Sequence, residues 1–342
     1  MQHSVHNVFI AGGTGFLGYH SGLLFLRKGC RVGTLALPDE INLEGWYPKE
    51  IETYFGDVFR MQEEEIVDLL SGKGWDTFVY ALGPDDRVTP PFPAYDFFHE
   101  RLVVQCAKIC RAANKAGIRR CIVLNSYFAY FDRKMNGTLS RHHPYIRCRV
   151  EQAEVTIGLG EAGVFDVMIL ELPYIFGAMP GRIPIWKSVF LDRFEKMPFA
   201  FFPGGGTAAI HVSGVAEAVY AAAVNGAHGG RYPVSTVNIS YRTMIRTMFE
   251  SASIPKRIIT IPAWIGYVSG WWLMQKEKKN KKEPGLHLAL LMTQILSRNF
   301  FIHPQEMSTL LDFASLGFSG GDDAMQGIRE AMARCYPASS GS

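Results

Sequence analysis

Short apolar runs bounded by glycine, proline and aspartate alternate along this chain with longer stretches in which apolar residues recur at three- and four-residue spacing. Runs that are apolar on both faces read as parallel strands covered by helices, and the 3.6-residue period reads as amphipathic helix. The spacing predicts strands over Asn7–Ala11, Arg31–Leu37, Ile51–Gly56, Thr77–Ala81, Arg120–Asn125 and Asp166–Leu170. Helices are predicted between them over Tyr19–Lys28, Glu63–Leu70 and Leu102–Ala116. Such alternation implies an α/β fold with a doubly wound parallel sheet.

The first strand runs directly into Gly12-Gly13-Thr14-Gly15-Phe16-Leu17-Gly18, a G-x-x-G-x-x-G turn that opens the first helix. Gly12 suits the tight turn, Gly15 lets backbone approach a pyrophosphate, and Gly18 lets helix and strand pack closely. The helix N-terminus offers free N–H groups and partial positive charge to phosphates. A glycine-rich turn without a ligand is the alternative, but the strand before and the helix after are the context a dinucleotide requires.

After Gly177 the rhythm gives way to proline- and aromatic-rich stretches, a helix over Val212–Ala223, a return strand at Tyr232–Val234 and further helices. This divides the chain into a Rossmann-type dinucleotide-binding domain over 1–177, its core continuing in part to about 235, and a smaller, interleaved substrate-binding region over 178–335. Within the latter, Ile258–Met274 is apolar, carries Trp264, Tyr267, Trp271 and Trp272, and leads into the five lysines of Lys276–Lys282. The favoured reading is an amphipathic helix lining the substrate region, followed by a solvated loop. The run is short for a membrane span, yet aromatics beside lysines also suit peripheral contact with a membrane through 258–282.

Composition narrows the field. With 342 residues, 48% hydrophobic and 20% charged, the chain lies outside the disordered range. A net charge of +3 from 35 basic and 32 acidic residues gives no footprint for nucleic acid. The cysteines Cys30, Cys106, Cys110, Cys121, Cys148 and Cys335 form no C-x-x-C pair and read as reduced thiols. No signal peptide is evident before the first strand, so the expected location is cytoplasmic and the sequons at Asn136 and Asn238 read as chance matches. No metal-ligand spacing and no G-x-S-x-G elbow occurs. The expected partner is a small-molecule substrate, and a homodimer is a candidate assembly.

The glycine turn resembles the fingerprint of the extended short-chain dehydrogenase/reductase family, which includes sugar-nucleotide epimerases, dehydratases and hydroxysteroid dehydrogenases. The likeness extends over nearly the whole chain. Gly56-Asp57-Val58 resembles the family's Gly-Asp step beside the adenine, and Ala81-Leu82-Gly83 its small-residue step beneath the cofactor. The resemblance implies that Gly12, Thr14, Gly15, Phe16, Leu17, Gly18, Asp57, Val58, Ala81, Leu82 and Gly83 hold a dinucleotide, with Pro173 and Ile175 near its other end. The end of the second strand, where an acid would select NAD or a base NADP, holds Ala36 and Leu37. Asp39 is the nearest acid, and both cofactors stay open.

In the family a Tyr and a Lys in Y-x-x-x-K and a Ser from the fifth strand handle the substrate hydroxyl. Two stretches compete for the tyrosine. Tyr130 with Lys134 satisfies the pattern literally but sits just after Ser126, where the family has a loop. Tyr145 opens the next helix, and its companion four residues on is Arg149. The assignment is Tyr145 with Ser126 and Arg149; both Tyr145 and Arg149 would also touch the cofactor.

Arginine keeps the charge but cannot release a proton. Other departures are Leu102 for the family's Asn, Leu172 for its Arg, and Ser213-Gly214 after His211 for its Asp pair. Cys148 reads as an inert packing cysteine and His211 as a structural hydrogen-bonder. The function implied is an NAD(P)-dependent oxidoreductase or epimerase acting on a hydroxyl-bearing carbon. The alternative is a non-catalytic dinucleotide-binding sensor or scaffold. For the substrate, Arg182 and Arg193 could clamp a diphosphate, while the aromatic C-terminal third resembles the hydroxysteroid-dehydrogenase and dihydroflavonol-reductase branch and suits an apolar alcohol.

Overall fold

Strand residues alternate between two cores, and that alternation fixes the layers of the molecule. The structure is a computed structural model that describes residues 3–37 and 43–337; Asp39 lies outside the described residues. In β1 (Asn7–Ala11), Val8 and Ile10 enter one apolar cluster while Phe9 and Ala11 enter another, as a strand buried on both faces must.

The central sheet has seven strands, all parallel. They are β1, β2 (Arg31–Ala36), β3 (Ile51–Phe55), β4 (Thr77–Tyr80), β5 (Arg120–Ser126), β6 (Asp166–Leu172) and a strand at Arg231–Pro233 beyond β6. From that outer strand the order is β6-β5-β4-β1-β2-β3. The order reverses direction at β1 and β4, so the C-terminal ends of these two strands diverge into a crevice.

Helices α1 (Phe16–Arg27) and Val212–Asn225 cover one face. The other carries α2 (Glu63–Leu70), α3 (Ala94–Phe98) with α4 (Gln105–Lys115), and α6 (Pro144–Gly158). The predicted helix over Leu102–Ala116 begins earlier than expected, since α3 continues through a π-helical segment, His99–Val104, into α4.

One expectation is corrected outright. The stretch after Ser126 is a helix, α5 (Tyr127–Lys134), and no loop. Ser126 caps it by accepting the Phe128 N–H at 3.3 Å. The aromatic run Tyr127-Phe128-Ala129-Tyr130-Phe131 then buries rings at helical spacing against Phe300, with Phe131 and Phe300 centroids 4.4 Å apart. A local cap and a distant ring together outweigh the strand propensity of aromatics.

The C-terminal lobe is built on a small mixed sheet around Gly206–His211, on a parallel pair formed by Phe199–Pro203 and Arg257–Ile261, and on helices 241–251 and 324–335. Its core is continuous with Phe98, Tyr127 and Tyr145 of the first half. The run after Pro262 is helix Ala263–Lys279, so three of the five lysines lie in its last turn and only Lys281 and Lys282 follow it. The expected solvated loop is that much shorter.

Candidate active site

The crevice above β1 and β4 holds two adjoining cavities that share Ala81, Leu82 and Gly83. The cavity at the glycine turn, ≈ 330 Å³, is lined by Gly12, Thr14, Gly15, Asp57, Val58 and the ends of β2 and β3. The cavity of ≈ 250 Å³ at the other end is lined by Leu17, Ser126, Tyr145, Arg149, Leu172, Pro173 and Ile175. Fourteen of the sequence-predicted positions thus face one cleft; Phe16 borders the next cavity along, with Leu17 and Arg182, and Gly18 lies behind the turn.

Packing explains the glycines separately. A β-carbon on Gly12, whose φ is +92°, would come within 2.6 Å of the Ala81 carbonyl oxygen, and one on Gly18 within 2.3 Å of the Gly12 carbonyl oxygen. These two glycines are required by the protein itself. Gly15 is different. Its β-carbon would meet only the Gly12 oxygen, at 3.2 Å, in ordinary backbone with φ −82° and ψ 167°. Helix α1 opens on Gly15 with no side-chain cap and no acid in its first turn. The lack of a side chain at Gly15, before an uncapped helix N-terminus, fits a pyrophosphate, and Arg182 lines the cleft beside it.

At the tyrosine end, Pro144 starts α6 and places Tyr145 and Arg149 one turn apart on its inner face. Both are buried, at 4% and 8% exposure. Arg149 donates from Nε to the Tyr145 hydroxyl at 2.9 Å, and from Nη1 to the Leu124 carbonyl at 3.3 Å and to Gln152 Oε1 at 2.9 Å. Gln152 is oriented in turn by Asn125, whose Nδ2 donates to Gln152 Oε1 at 3.0 Å and to the Arg149 carbonyl at 2.9 Å. Burial raises the Tyr145 pKa, and the Arg149 cation only partly opposes it. The phenol therefore holds its proton at neutral pH, beside a cation able to stabilise the phenolate left when the proton departs.

Ser126 lines the same cavity, with its hydroxyl oxygen accepting from the N-terminus of α5. Tyr130 takes no part in the cleft. Its hydroxyl donates to Glu306 at 3.0 Å, and Lys134 lies over its ring at 4.3 Å. The departures have local explanations. Leu102 is fully buried beside Gly83, where a β-carbon would come within 2.7 Å of the leucine side chain. His211 bonds Ser213 at 2.7 Å and Glu330 at 3.0 Å, a structural role. Burial pushes the Cys148 thiol up to about 12, which leaves it unreactive.

Sequence reasoning missed Asn125, Gln152 and the Asp85-Asp86-Arg87 segment. Asp86 and Arg87 line the tyrosine-end cavity and also a neighbouring, mainly apolar cavity of ≈ 330 Å³ walled by Phe128, Tyr174, Phe190, Leu286 and Met292. Arg87 pairs with Asp85 at 2.9 Å and lies 5.2 Å over the Trp186 ring. Burial raises the Asp86 carboxyl pKa, Arg87 opposes this and Asp85 adds to it. The available signal was three charged residues just beyond the C-terminal end of a buried parallel strand, where ligands of such sheets bind.

The start of α6 rests on a buried imidazole. His143 is fully buried, its Nδ1 accepts the His287 N–H at 3.0 Å, and burial drives its pKa down to about 4. In the unfolded chain it titrates near 6.5, so the unfolded state binds more protons between the two values. Its contribution to stability is therefore full above pH 6.5 and falls as the pH drops toward 4, by up to roughly 1.4 kcal/mol per pH unit. His20, also pushed down to about 4, acts in the same window. Thermal melts across this range should show a shallower acid slope for His143→Gln than for the parent; identical slopes would contradict this account.

No protein-family model matches the chain, and no curated protein matches it in sequence. Its fold, however, is shared with solved structures along almost its full length. The crystal structure of gox2253 aligns with a TM-score of 0.74 at 17% identity, over 96% of this chain and 97% of that one. The Bordetella bronchiseptica enzyme WbmH, solved in complex with NAD+, aligns at 0.67 and 14% identity over 96% and 98%. The UDP-N-acetylglucosamine 4-epimerase from Bacillus cereus aligns at 0.64 and 11% identity over 98% and 99%. The fold and cleft define an α/β protein with a Rossmann-type doubly wound sheet and a C-terminal lobe. More particularly, the chain has the fold of the extended short-chain dehydrogenase/reductases of the epimerase/dehydratase type. Among the described residues no group of side chains is arranged to hold a metal ion.

Proposed function

We propose that this chain is an NAD-dependent oxidoreductase or epimerase that acts on a hydroxyl-bearing carbon of a small molecule. The observation that carries the reading is the continuity of the cleft, from the uncapped helix beyond Gly15 to the Tyr145 hydroxyl, through the shared floor Ala81-Leu82-Gly83. Gly12, Thr14 and Gly15 would hold the pyrophosphate, Asp57 and Val58 would flank the adenine, and Pro173 and Ile175 would flank the nicotinamide. When bound, the dinucleotide supplies a hydride acceptor or donor. Tyr145 holds the proton exchanged with the substrate oxygen, Ser126 fixes that oxygen, and Arg149 stabilises the phenolate. Asp86 lines the same wall.

NAD is favoured over NADP because the described end of β2 carries no cation for a 2′-phosphate, and because WbmH was solved with NAD+. The neighbouring cavity, with its leucine, methionine and aromatic walls, favours a substrate with an apolar body; the epimerase named above acts on a sugar nucleotide, for which Arg87 and Arg193 are the matching cations. Titration of the full chain with NAD+ and NADP+ by calorimetry tests the reading. Tighter binding of NAD+ is expected, and absence of binding by either would overturn it.

A second reading, a binding protein without turnover, is favoured by the way Arg149 is tied to Tyr145, Leu124 and Gln152. It retains dinucleotide binding and shows no oxidation or reduction across a panel of alcohols and sugar nucleotides.

A further inference from the structure

The helix Ala263–Lys279 turns its large side chains outward. Its buried residues are Gly266 and Gly270, four apart on one face. A β-carbon on Gly270 would come within 2.5 Å of the Leu288 carbonyl oxygen, and one on Gly266 within 3.0 Å of Met292 Cβ, so the backbone itself is pressed against the segment below. The opposite face carries Trp264, Val268, Trp271 and Trp272, exposed by 67%, 57%, 51% and 65%. A contiguous patch of this kind marks an interaction site.

Charge identifies the partner. No aspartate or glutamate occurs from Ala263 through Lys276, while Lys276, Lys278 and Lys279 fill the last turn and Lys281 and Lys282 follow. Steps of three, four and seven residues carry Trp264 through Val268 and Trp271 to Lys278, and Trp272 through Lys276 to Lys279, so rings and ammonium groups share one side. Indole rings settle at the headgroup level of a bilayer, and lysines extend to its phosphates. No helix among the described residues is long and apolar enough to cross a membrane. A two-fold contact between copies would gather the lysines of both chains with no acid on the strip to offset them, since Glu277 turns inward to line the apolar cavity.

We propose that this helix docks the protein on an anionic lipid surface, with Trp264, Trp271 and Trp272 in the interface and the lysines on the headgroups. The inner edge of the same helix gives Leu273 and Glu277 to the apolar cavity, so docking would hold that wall at the bilayer, where a substrate with an apolar body is concentrated. That last step rests on the enzymatic reading above; the docking does not.

Co-sedimentation of the full chain with extruded vesicles, phosphatidylcholine alone or mixed with phosphatidylglycerol, tests the proposal. Binding is expected to the anionic vesicles, at least about tenfold weaker to the neutral ones, with a blue shift of tryptophan emission and weakening by salt. The triple variant Trp264→Ser, Trp271→Ser, Trp272→Ser should lose about tenfold or more in vesicle affinity while its circular-dichroism melt stays unchanged. Absence of binding at low ionic strength, or binding that the triple variant retains, overturns the proposal. So does a dimer in sedimentation velocity that the same variant dissolves. Dinucleotide titration is read separately, so failure of the enzymatic reading leaves a distinct signature.

Discussion

Replacing Gly15 with aspartate is expected to abolish dinucleotide binding, by more than about 100-fold, while leaving the protein folded. The backbone at this position is ordinary, and the new β-carbon meets only one protein atom, at 3.2 Å. Aspartate is also a good residue for the N-cap it would occupy, worth about 1 kcal/mol to an otherwise uncapped helix. The same carboxylate would stand where the free N–H groups of α1 point, and would repel a pyrophosphate there. Gly18→Ala provides the contrast. Its β-carbon would lie 2.3 Å from the Gly12 carbonyl oxygen, so helix and turn must separate, at a cost of about 1–3 kcal/mol. Calorimetry beside thermal melts distinguishes the two: the aspartate variant should melt at or above the parent temperature without binding, and the alanine variant should melt lower. Parent-like NAD+ affinity in Gly15→Asp would remove the phosphate from this turn.

Tyr145→Phe should lower turnover by about 10²–10⁴ and change NAD+ affinity by less than about threefold. The substitution removes the hydroxyl that Arg149 Nε reaches at 2.9 Å and keeps the ring that packs against Phe98 at 5.4 Å, so α6 keeps its seat. Steady-state rates with the best substrate of the panel, read beside dinucleotide titration, separate chemistry from binding. Tyr130→Phe is the control, because its hydroxyl bonds Glu306 and is not among the groups that line the cleft. Loss of turnover in Tyr130→Phe with full activity in Tyr145→Phe would reverse the assignment.

The parts of the site that could be read from sequence are those whose geometry is local. Gly12, Gly15 and Gly18 lie within one strand-turn-helix, and Tyr145 and Arg149 within one turn of one helix, so spacing alone brings them together. The partners that orient them are not local. Asn125 reaches Gln152 across 27 residues, and the meeting of β5 with α6 that makes Arg149 inward-facing leaves no trace in the spacing of either. The choice between Tyr130 and Tyr145 could be made from sequence because Tyr130 follows directly on Ser126 while Tyr145 opens the next helix, whereas the partner that holds Tyr130, Glu306, lies 176 residues away.

Two aromatic stretches were decided by segments far away in the chain. Tyr127–Phe131 became a buried helix because Phe300 came to meet it. Trp264–Trp272 is the expected helix, but it packs through Gly266 and Gly270 and leaves its tryptophans outside, because close backbone approach at the glycines is what the segment 288–296 accommodates. Sequence by itself determined the parallel sheet, the glycine turn and the Tyr145–Arg149 pair, since strand burial on two faces, positive φ and one helical turn are properties of neighbouring residues. Tertiary structure alone decided which cations and carboxyls face the cleft, which way the tryptophan helix turns, and where Asp86 stands, since each depends on chain segments brought together only when the sheet and the C-terminal lobe close on one another.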